Sequence, residues 1–508
     1  MEQTIDQYIQ SEEASWKTTP IQLTDNKSWL MYEHIQRCKN VANGWYHTGK
    51  DDGNRPYDDL VTPIINVAFR TEGFDVKDIE PYVNDAKNHY KSFFVRKFHP
   101  KWARKIELDT FIDKVVEGSI IYDLVLIKNA NDMPEVVPLE TIAFCDQSDV
   151  MSGPICLKHQ YSISDLLKFK GKWNDDAIDI AIASARASKN TNSLNNKENK
   201  SPGRYIEVYE LHGNLPESWL KDDGDPDKYT PQLHIKTYIT GNDGNKVGLT
   251  FYSGKSKPLD EIFDALKIDQ VRSYGRACGK SIVETLFEPQ VWNNYSAIKI
   301  KELLDSAISI LQTSDDEIGN QPLSQLKPNT ILKHQDNKPI TRVDGNIQNM
   351  DKFLANKDRY EQSARTLGSA SDPALGLNPT SGTPLGTTTT VIQQGQGIHE
   401  YRQGKISTFF ADRLYKKWFI KDMVAEINKG NQWLDELSLE EMQYIAKNIS
   451  INESNKKAVD MVIKYFDKQG KAPTQEEIDQ FKQVISQEFM EGGKNRFIEV
   501  MKDEFKSL

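Results

Sequence analysis

The chain has 508 residues, 27% of them charged and 38% hydrophobic, and its formal net charge is −10. This length predicts several domains, and the acidic balance argues against tight binding of nucleic acid, which requires clustered positive charge. No apolar run approaches the ~18 residues that a membrane span requires, and the polar, acidic N-terminus is not typical of a secretory signal.

The cysteines and histidines show no spacing that predicts a metal or catalytic centre. The cysteines are widely separated and include no CxxC pair, whereas zinc sites need closer pairs. Free thiols in a reducing compartment are therefore expected. The sequence also contains no HExxH or GxSxG motif. We expect no metal site, no cofactor and no enzymatic activity.

The first 280 residues predict a mixed α/β region. Helices are predicted at 75–98 and 100–116, and a β-rich zone begins with the β-branched run at 119–127. Ser162 and Asp165 have the spacing of a helix cap. The Asn/Lys/Ser-rich stretch at 183–203 predicts a mobile linker.

Three period-two segments complete this region: YIEVYELHG, LHIKTYIT and VGLTFYS. The last two flank the sequence GNDGNK, which is typical of a hairpin turn. We therefore predict a β-hairpin at 233–253.

Two long helical patterns follow, separated by a polar interval that contains prolines. In the first pattern, apolar residues recur at the i, i+3, i+4, i+7 spacing of one helical face. These residues include Ile300, Leu303, Leu304, Ala307 and Leu311. The second pattern spans 346–367. Two helices joined by a compact insert predict a stem that carries a small head.

A Gly/Thr-rich segment at 372–397 comes next and leaves two interpretations open. Its threonines include Thr383, Thr387, Thr388, Thr389 and Thr390. Long loops inside compact domains are usually functional or disordered. Small uncharged side chains suit a surface past which a polyanion slides, but the segment also fits a plain linker.

The remaining chain predicts helices almost throughout. A long amphipathic helix is expected at about 398–429, and the region from 433 onward contains two capping boxes. These pair Ser438 with Glu441 and Thr474 with Glu477.

The segment GRACGKS, at 275–281, is similar to the phosphate-binding pattern GxxxxGK[ST] but is one residue too short. The stretch before it is charged, whereas that motif follows a buried strand. A turn leading into the next helix is the favoured interpretation, and a nucleotide site is the alternative.

Four basic residues lie in the polar interval between the two long helices: Lys327, Lys333, Lys338 and Arg342. Mixed charge of this kind usually forms a solvated face. Contact with a phosphate backbone or an acidic partner is the alternative that we keep.

The order of these elements resembles the portal proteins of tailed bacteriophages, most closely those of short-tailed phages. In that family a mixed α/β wing leads through a Tyr-Gly-Arg-Ser-like turn into a stem helix. A clip, a returning stem helix, a channel loop, a long wing helix and a helical crown follow. YGRACGKS, at 274–281, occupies the place of the turn, although its ACGK departs from the family pattern.

The resemblance implies an α+β portal-like fold with defined boundaries. It places the wing at 1–280, stem helix 1 at 281–311, the clip at 312–345, stem helix 2 at 346–371, the channel loop and long wing helix at 372–432, and the crown at 433–508. The five threonines would belong to the channel loop, the four basic residues to a partner-contacting clip, and the five apolar residues of the first stem to its packing face.

The resemblance also implies function: a ring, usually a dodecamer, at one capsid vertex of the virion, assembled in the host cytoplasm. Double-stranded DNA would pass through its channel during packaging and ejection. The implied partners are the major capsid protein, the terminase large subunit and tail adaptor proteins, with no membrane. An acidic ring would hold DNA loosely. An oligomeric adaptor or scaffold without a channel remains the main alternative.

Overall fold

The computed structural model of the chain is a mixed helix-and-sheet fold, which agrees with the predicted α+β class. Among the residues that the structure describes, neighbouring strands in every sheet run antiparallel. The described residues are 4–45, 57–82, 89–130, 133–187, 205–221, 223–240, 246–269, 275–306, 310–312, 341–343, 350–370, 374–375, 385–428, 438–492 and 499.

The described helices are, in chain order, α1 (Ile5–Thr18), α2 (Met31–Ala42), α3 (Val61–Glu72), α4 (His89–Lys105), α5 (Leu108–Tyr122), α6 (Ile163–Leu167), α7 (Asp175–Ala187), α8 (Leu259–Ile262), α9 (Ile282–Ser306), α10 (Met350–Leu367), α11 (Leu385–Phe409), α12 (Ile420–Asn428), α13 (Leu439–Gln469) and α14 (Gln475–Glu491). The π-helical segment Phe410–Phe419 joins α11 to α12.

The described strands are β1 (Ile21–Thr24), β2 (Lys27–Trp29), β3 (Leu124–Ala130), β4 (Met133–Val137), β5 (Ile142–Phe144), β6 (Ile155–Ser162), β7 (Tyr205–Pro216), β8 (Tyr229–Thr240), β9 (Lys246–Lys255), β10 (Phe263–Lys267), β11 (Ile310–Gln312) and β12 (Thr341–Val343).

The largest sheet has five strands in the order β5-β6-β7-β8-β9. The predicted hairpin is confirmed, because β8 and β9 are paired along most of their lengths. Helices α6 and α7 pack against this sheet around a small core that includes Ile178. The predicted cap is also confirmed: the backbone N–H of Asp165 donates to Ser162 Oγ at 3.2 Å.

The main core lies among α2, α3, α4, α5 and a three-stranded sheet in the order β10-β3-β4. Met31, Trp102, Ile120 and Phe263 are among its fully buried side chains. Fully burying one large apolar side chain stabilises a fold by ~1.5–3 kcal/mol. Val283 on α9 belongs to the same core, so the first long helix begins inside it. We call the described part of residues 4–269 the body.

Two helix boundaries predicted in the body were wrong. Within 75–98, the described residues form a 3₁₀ turn at Val76–Asp78, no helix at 79–82, and the first turns of α4 from His89, whereas 83–88 lie outside the described residues. Pro100, which was predicted to begin the second helix, lies inside α4. A proline removes one backbone hydrogen bond from a helix, and the burial of Trp102 and its neighbours in the main core offsets that loss.

The predicted strand at 119–127 begins later than expected. Its first four residues complete α5, and β3 starts at Leu124. Asp123 separates the two elements because it adopts a left-handed backbone conformation with φ of 55°. Its N–H still donates to Ser119 O at 3.0 Å, which closes the helix. The apolar pattern did not reveal this break.

The linker prediction at 183–203 is partly corrected. Residues 183–187 form the last turn of α7, and residues 188–203 lie outside the described residues. In the C-terminal region both capping boxes are confirmed. The N–H of Glu441 donates to Ser438 Oγ at 3.2 Å, and the N–H of Glu477 donates to Thr474 Oγ1 at 3.4 Å.

Candidate functional site in the helical hairpin

The loop that leads into α9, at 275–281, is closed around the guanidinium of Arg276. Arg276 Nη2 donates to Gly279 O at 3.1 Å, and Nη1 donates to Glu284 Oε1 at 2.9 Å. The N–H of Ala277 donates to Gln147 O at 2.8 Å in the body. We call residues 275–281 the leading loop. It connects the body to the first turn of α9.

The electrostatics of this loop follow from the Arg276–Glu284 pair. Burial alone would raise the pKa of Glu284, but the hydrogen bonds from Arg276 and the positive charges nearby together outweigh it, and the pKa is lowered. The Arg276 guanidinium is thus bonded within the loop, and the Lys280 side chain is exposed. This geometry weighs against the nucleotide-site alternative.

The first half of α9 is fixed to the body by buried amide side chains. The N–H of Leu60 donates to Gln290 Oε1 at 2.9 Å, and Gln290 Nε2 donates to Asp58 O at 2.7 Å. Asn293 Nδ2 donates to the same carbonyl at 3.2 Å. The sequence analysis missed these residues. The only signal was the polar run following Pro289 on an otherwise amphipathic helix.

The two long helices pack against each other, as the predicted stem requires. The ring of Trp292 on α9 stacks on that of Tyr360 on α10, with centroids 6.0 Å apart and planes 10° from parallel. Lys357 Nζ on α10 lies 2.8 Å from Asp58 Oδ2, so the segment that contacts α9 also binds α10. That contact raises the pKa of Lys357. We call α9 and α10 together the hairpin.

Of the predicted stem-packing residues, the three that lie on α9 are not buried in one chain. Ile300 and Leu303 are half-buried, and the Leu304 side chain is 54% exposed. Ala307 lies outside the described residues. Leu311 was wrongly assigned to a helix, because α9 ends at Ser306 and Leu311 lies in β11.

The two short strands that flank the insert between α9 and α10 pair with each other. Leu311 in β11 is paired with Arg342 in β12, and these short strands are antiparallel. Of the predicted clip residues, Arg342 is thus in a strand, whereas Lys327, Lys333 and Lys338 lie outside the described residues. The strand pair holds the two ends of segment 313–340 together beyond the ends of α9 and α10.

The predicted channel loop is shorter than expected. Thr387, Thr388, Thr389 and Thr390 lie in the first turns of α11, which begins at Leu385, thirteen residues before the predicted helix start; Thr383 lies outside the described residues. Threonine and glycine are weak helix formers, so the composition favoured a loop. The helix extends back from a stretch that is held by contacts with the body.

Those contacts form a buried cluster that the sequence analysis also missed. We call Glu72, Asp123, His399 and Arg402 the anchor cluster. Arg402 Nε donates to Glu72 Oε1 at 2.9 Å, Nη1 donates to Asp123 Oδ1 at 2.8 Å, and Nη2 donates to Ser119 O at 2.7 Å. A single guanidinium therefore links α11 to the ends of α3 and α5.

Among the residues that the structure describes, no three histidine, cysteine or acidic side chains come close enough to hold a metal ion. No helix in the same part of the chain has the length and hydropathy to cross a membrane. Cys38, Cys145, Cys156 and Cys278 are free thiols, and burial raises the pKa of Cys38 to about 12.

Comparison with known proteins indicates no family for this chain. No protein-family model matches the chain, and no curated protein is significantly similar to it in sequence.

Proposed function

We propose that this chain is a portal-type protein: a subunit of a ring that forms the channel for double-stranded DNA at one capsid vertex. In this proposal the chain has no catalytic residues of its own and needs no cofactor. The ring contacts the major capsid protein, and it binds the terminase large subunit during packaging and tail adaptor proteins afterwards. The protein is then part of the virion after assembly in the host cytoplasm.

The observation that carries the proposal is the hairpin with its insert. Helices α9 and α10 lie side by side, while β11 and β12 hold together the two ends of segment 313–340. A stem with a clip at its tip requires this arrangement. Had the two helices packed in separate parts of the chain, the proposal would have had no support.

The exposed side chains of the hairpin are a second support. Trp292 and Tyr295 on α9 and Leu354 on α10 are each at least 40% exposed, as is Leu304. Aromatic side chains are enriched at protein–protein interfaces, and in a ring the same two surfaces of every copy meet head to tail. Neighbouring hairpins would cover these residues.

Charge is a third support. The chain carries a net charge of −10, and a ring multiplies this charge around its axis. A wall of that sign repels phosphate and lets DNA slide without sticking. In this proposal segment 313–340, with Lys327, Lys333 and Lys338, contacts the motor and tail proteins, and the region that includes Thr383 and the start of α11 lies nearest the DNA.

Mass measurement of the purified protein, combined with negative-stain images, tests the proposal. We expect one closed assembly of fixed subunit number with a central hole wide enough for a DNA duplex, ~20 Å or more, a scale that follows from groove dimensions. A filled or open assembly would instead indicate the adaptor or scaffold. Nucleotide binding that Lys280→Ala abolishes would indicate the NTP-dependent alternative.

A further inference from the structure

His399 lies fully buried between the end of the second hairpin helix and the body. It is on α11, and its side chain is 0% exposed. Its Nδ1 lies 2.9 Å from Glu72 Oε1 on α3, and its Nε2 lies 3.2 Å from Gly368 O, one residue after α10 ends. One imidazole ring thus joins three elements of the fold.

Each of these two contacts requires a proton on the ring nitrogen that makes it. A backbone carbonyl oxygen only accepts hydrogen bonds. The Glu72 carboxylate also acts as an acceptor, because Arg402 Nε donates to its two oxygens at 2.9 and 3.1 Å. A neutral imidazole has one N–H and one lone pair, so it satisfies only one of the two oxygens. An imidazolium satisfies both.

The charges that face His399 lead to the same protonation state. Glu72 and Asp123 contribute two negative charges, and Arg402 contributes one positive charge. Without a charge on His399 the buried cluster has a net negative charge, which is unfavourable away from water. With an imidazolium the anchor cluster is neutral.

Asp123 is the competing place for the proton, but its oxygens already accept from donors. Oδ1 accepts from Arg402 Nη1, and Oδ2 accepts from the N–H of Asp269 at 2.8 Å. Burial raises the pKa of Asp123 to about 6 despite the nearby Arg402. Hydrogen bonds donated to both oxygens favour the ionised form of Asp123.

We propose that His399 is a proton-dependent latch, which as an imidazolium fastens the end of α10 to α11 and α3. Loss of its proton turns one ring nitrogen into a lone pair that faces an oxygen atom. Because Arg402 keeps its hold on Glu72, the contact with Gly368 is the one released. The latch lies where the end of α10 contacts α11. This inference does not depend on the proposed ring.

Hydrogen exchange of backbone amides, expressed as protection factors so that the intrinsic pH effect is removed, tests the latch. Between pH 6 and pH 9 we expect wild-type protection at 364–370 and 398–403 to fall about tenfold, the effect of losing one buried hydrogen bond. Strand β7 should not change. His399→Gln should give the lower protection at both pH values.

The matched control is His99→Gln. His99 Nε2 contacts Tyr415 Oη at 2.7 Å, remote from the hairpin, and burial lowers its pKa. This variant should keep the wild-type pH response at 364–370. Equal wild-type protection at pH 6 and pH 9, or an unchanged pH response in His399→Gln, would overturn the proposal.

A second measurement covers the case in which His399→Gln does not fold. Nitrogen NMR of the histidine rings in the wild-type protein at pH 6 should show one solvent-protected ring that carries two protons. Burial lowers the pKa of His34 and of His234 to about 4, so these rings serve as neutral references. If every solvent-protected ring is neutral at pH 6, the latch does not exist.

Discussion

The two halves of α9 have opposite surroundings. In the first half, Val283, Leu286, Gln290 and Asn293 are all buried, and their contacts reach the body. In the second half Leu304 is 54% exposed, although the sequence places it on an equally regular apolar stripe. Helix α9 is therefore part of the main core in its first half. Its second half, which carries the exposed Leu304, we call the arm.

This contrast teaches that an apolar stripe does not by itself identify the partner that covers it. In the first half the stripe packs in the main core, with polar amides fixing its position. In the second half α10 covers only part of the stripe, so the remainder is available to another copy. The predictions below measure whether the first half supplies stability and the second half supplies assembly.

Truncating a buried side chain in the first half should have the largest effect on stability. Leu286→Ala removes a fully buried side chain and leaves a cavity, so we expect a loss of about 2–5 kcal/mol in the free energy of unfolding. Chemical denaturation measures it. Leu304→Ala is the matched control, for which a loss below ~0.5 kcal/mol is expected. Equal losses would show that the two halves do not differ.

Removing an amide anchor should have a smaller effect. Gln290→Met keeps the side-chain length but leaves the partly buried N–H of Leu60 without its acceptor, which costs about 1–3 kcal/mol. The same denaturation experiment measures this loss. Gln362→Met, at an exposed position on α10, should leave the denaturation midpoint unchanged. If Gln290→Met leaves the free energy of unfolding unchanged, apolar packing alone positions α9.

The contact between the body and α10 should contribute less again. Lys357 and Asp58 are each about one-third exposed, and such ion pairs contribute at most ~1 kcal/mol. Lys357→Met should lower stability by that amount at low salt and by less at high salt, because ions screen the pair. A loss that salt does not reduce would show that the pair is not acting through its charge.

The arm should affect assembly without affecting the protomer. Leu304→Asp places a carboxylate where the single chain is exposed to water, so the free energy of unfolding should change by less than ~0.5 kcal/mol. Between copies the same carboxylate would be buried without a partner. Mass measurement should therefore find protomers instead of the closed assembly. An unchanged assembly would remove Leu304 from the interface.

Local patterns predicted much of the fold. The hairpin of β8 and β9, the caps at Ser162, Ser438 and Thr474, and the pairing of two long helices across an insert followed from periodicity and turn chemistry. Each of these features depends on residues close in sequence or on a regular repeat.

The rest depended on contacts between distant residues. Arg402 bonds to Glu72 across 330 positions and to Asp123 across 279. No local pattern marks such a contact, and it holds the stretch from which α11 extends back through a threonine run of weak helix propensity. Asp123 ended α5 through its backbone conformation, which an apolar strand-like run concealed.

Electron cryomicroscopy of the assembled protein tests the central claim most directly, because it locates the hairpin relative to the symmetry axis. We predict that α9 and α10 of every copy surround the axial hole, with segment 313–340 at one end of the ring and the second half of α9 against the neighbouring copy. Hairpins on the outer rim, or an assembly without an axial hole, would contradict the portal assignment.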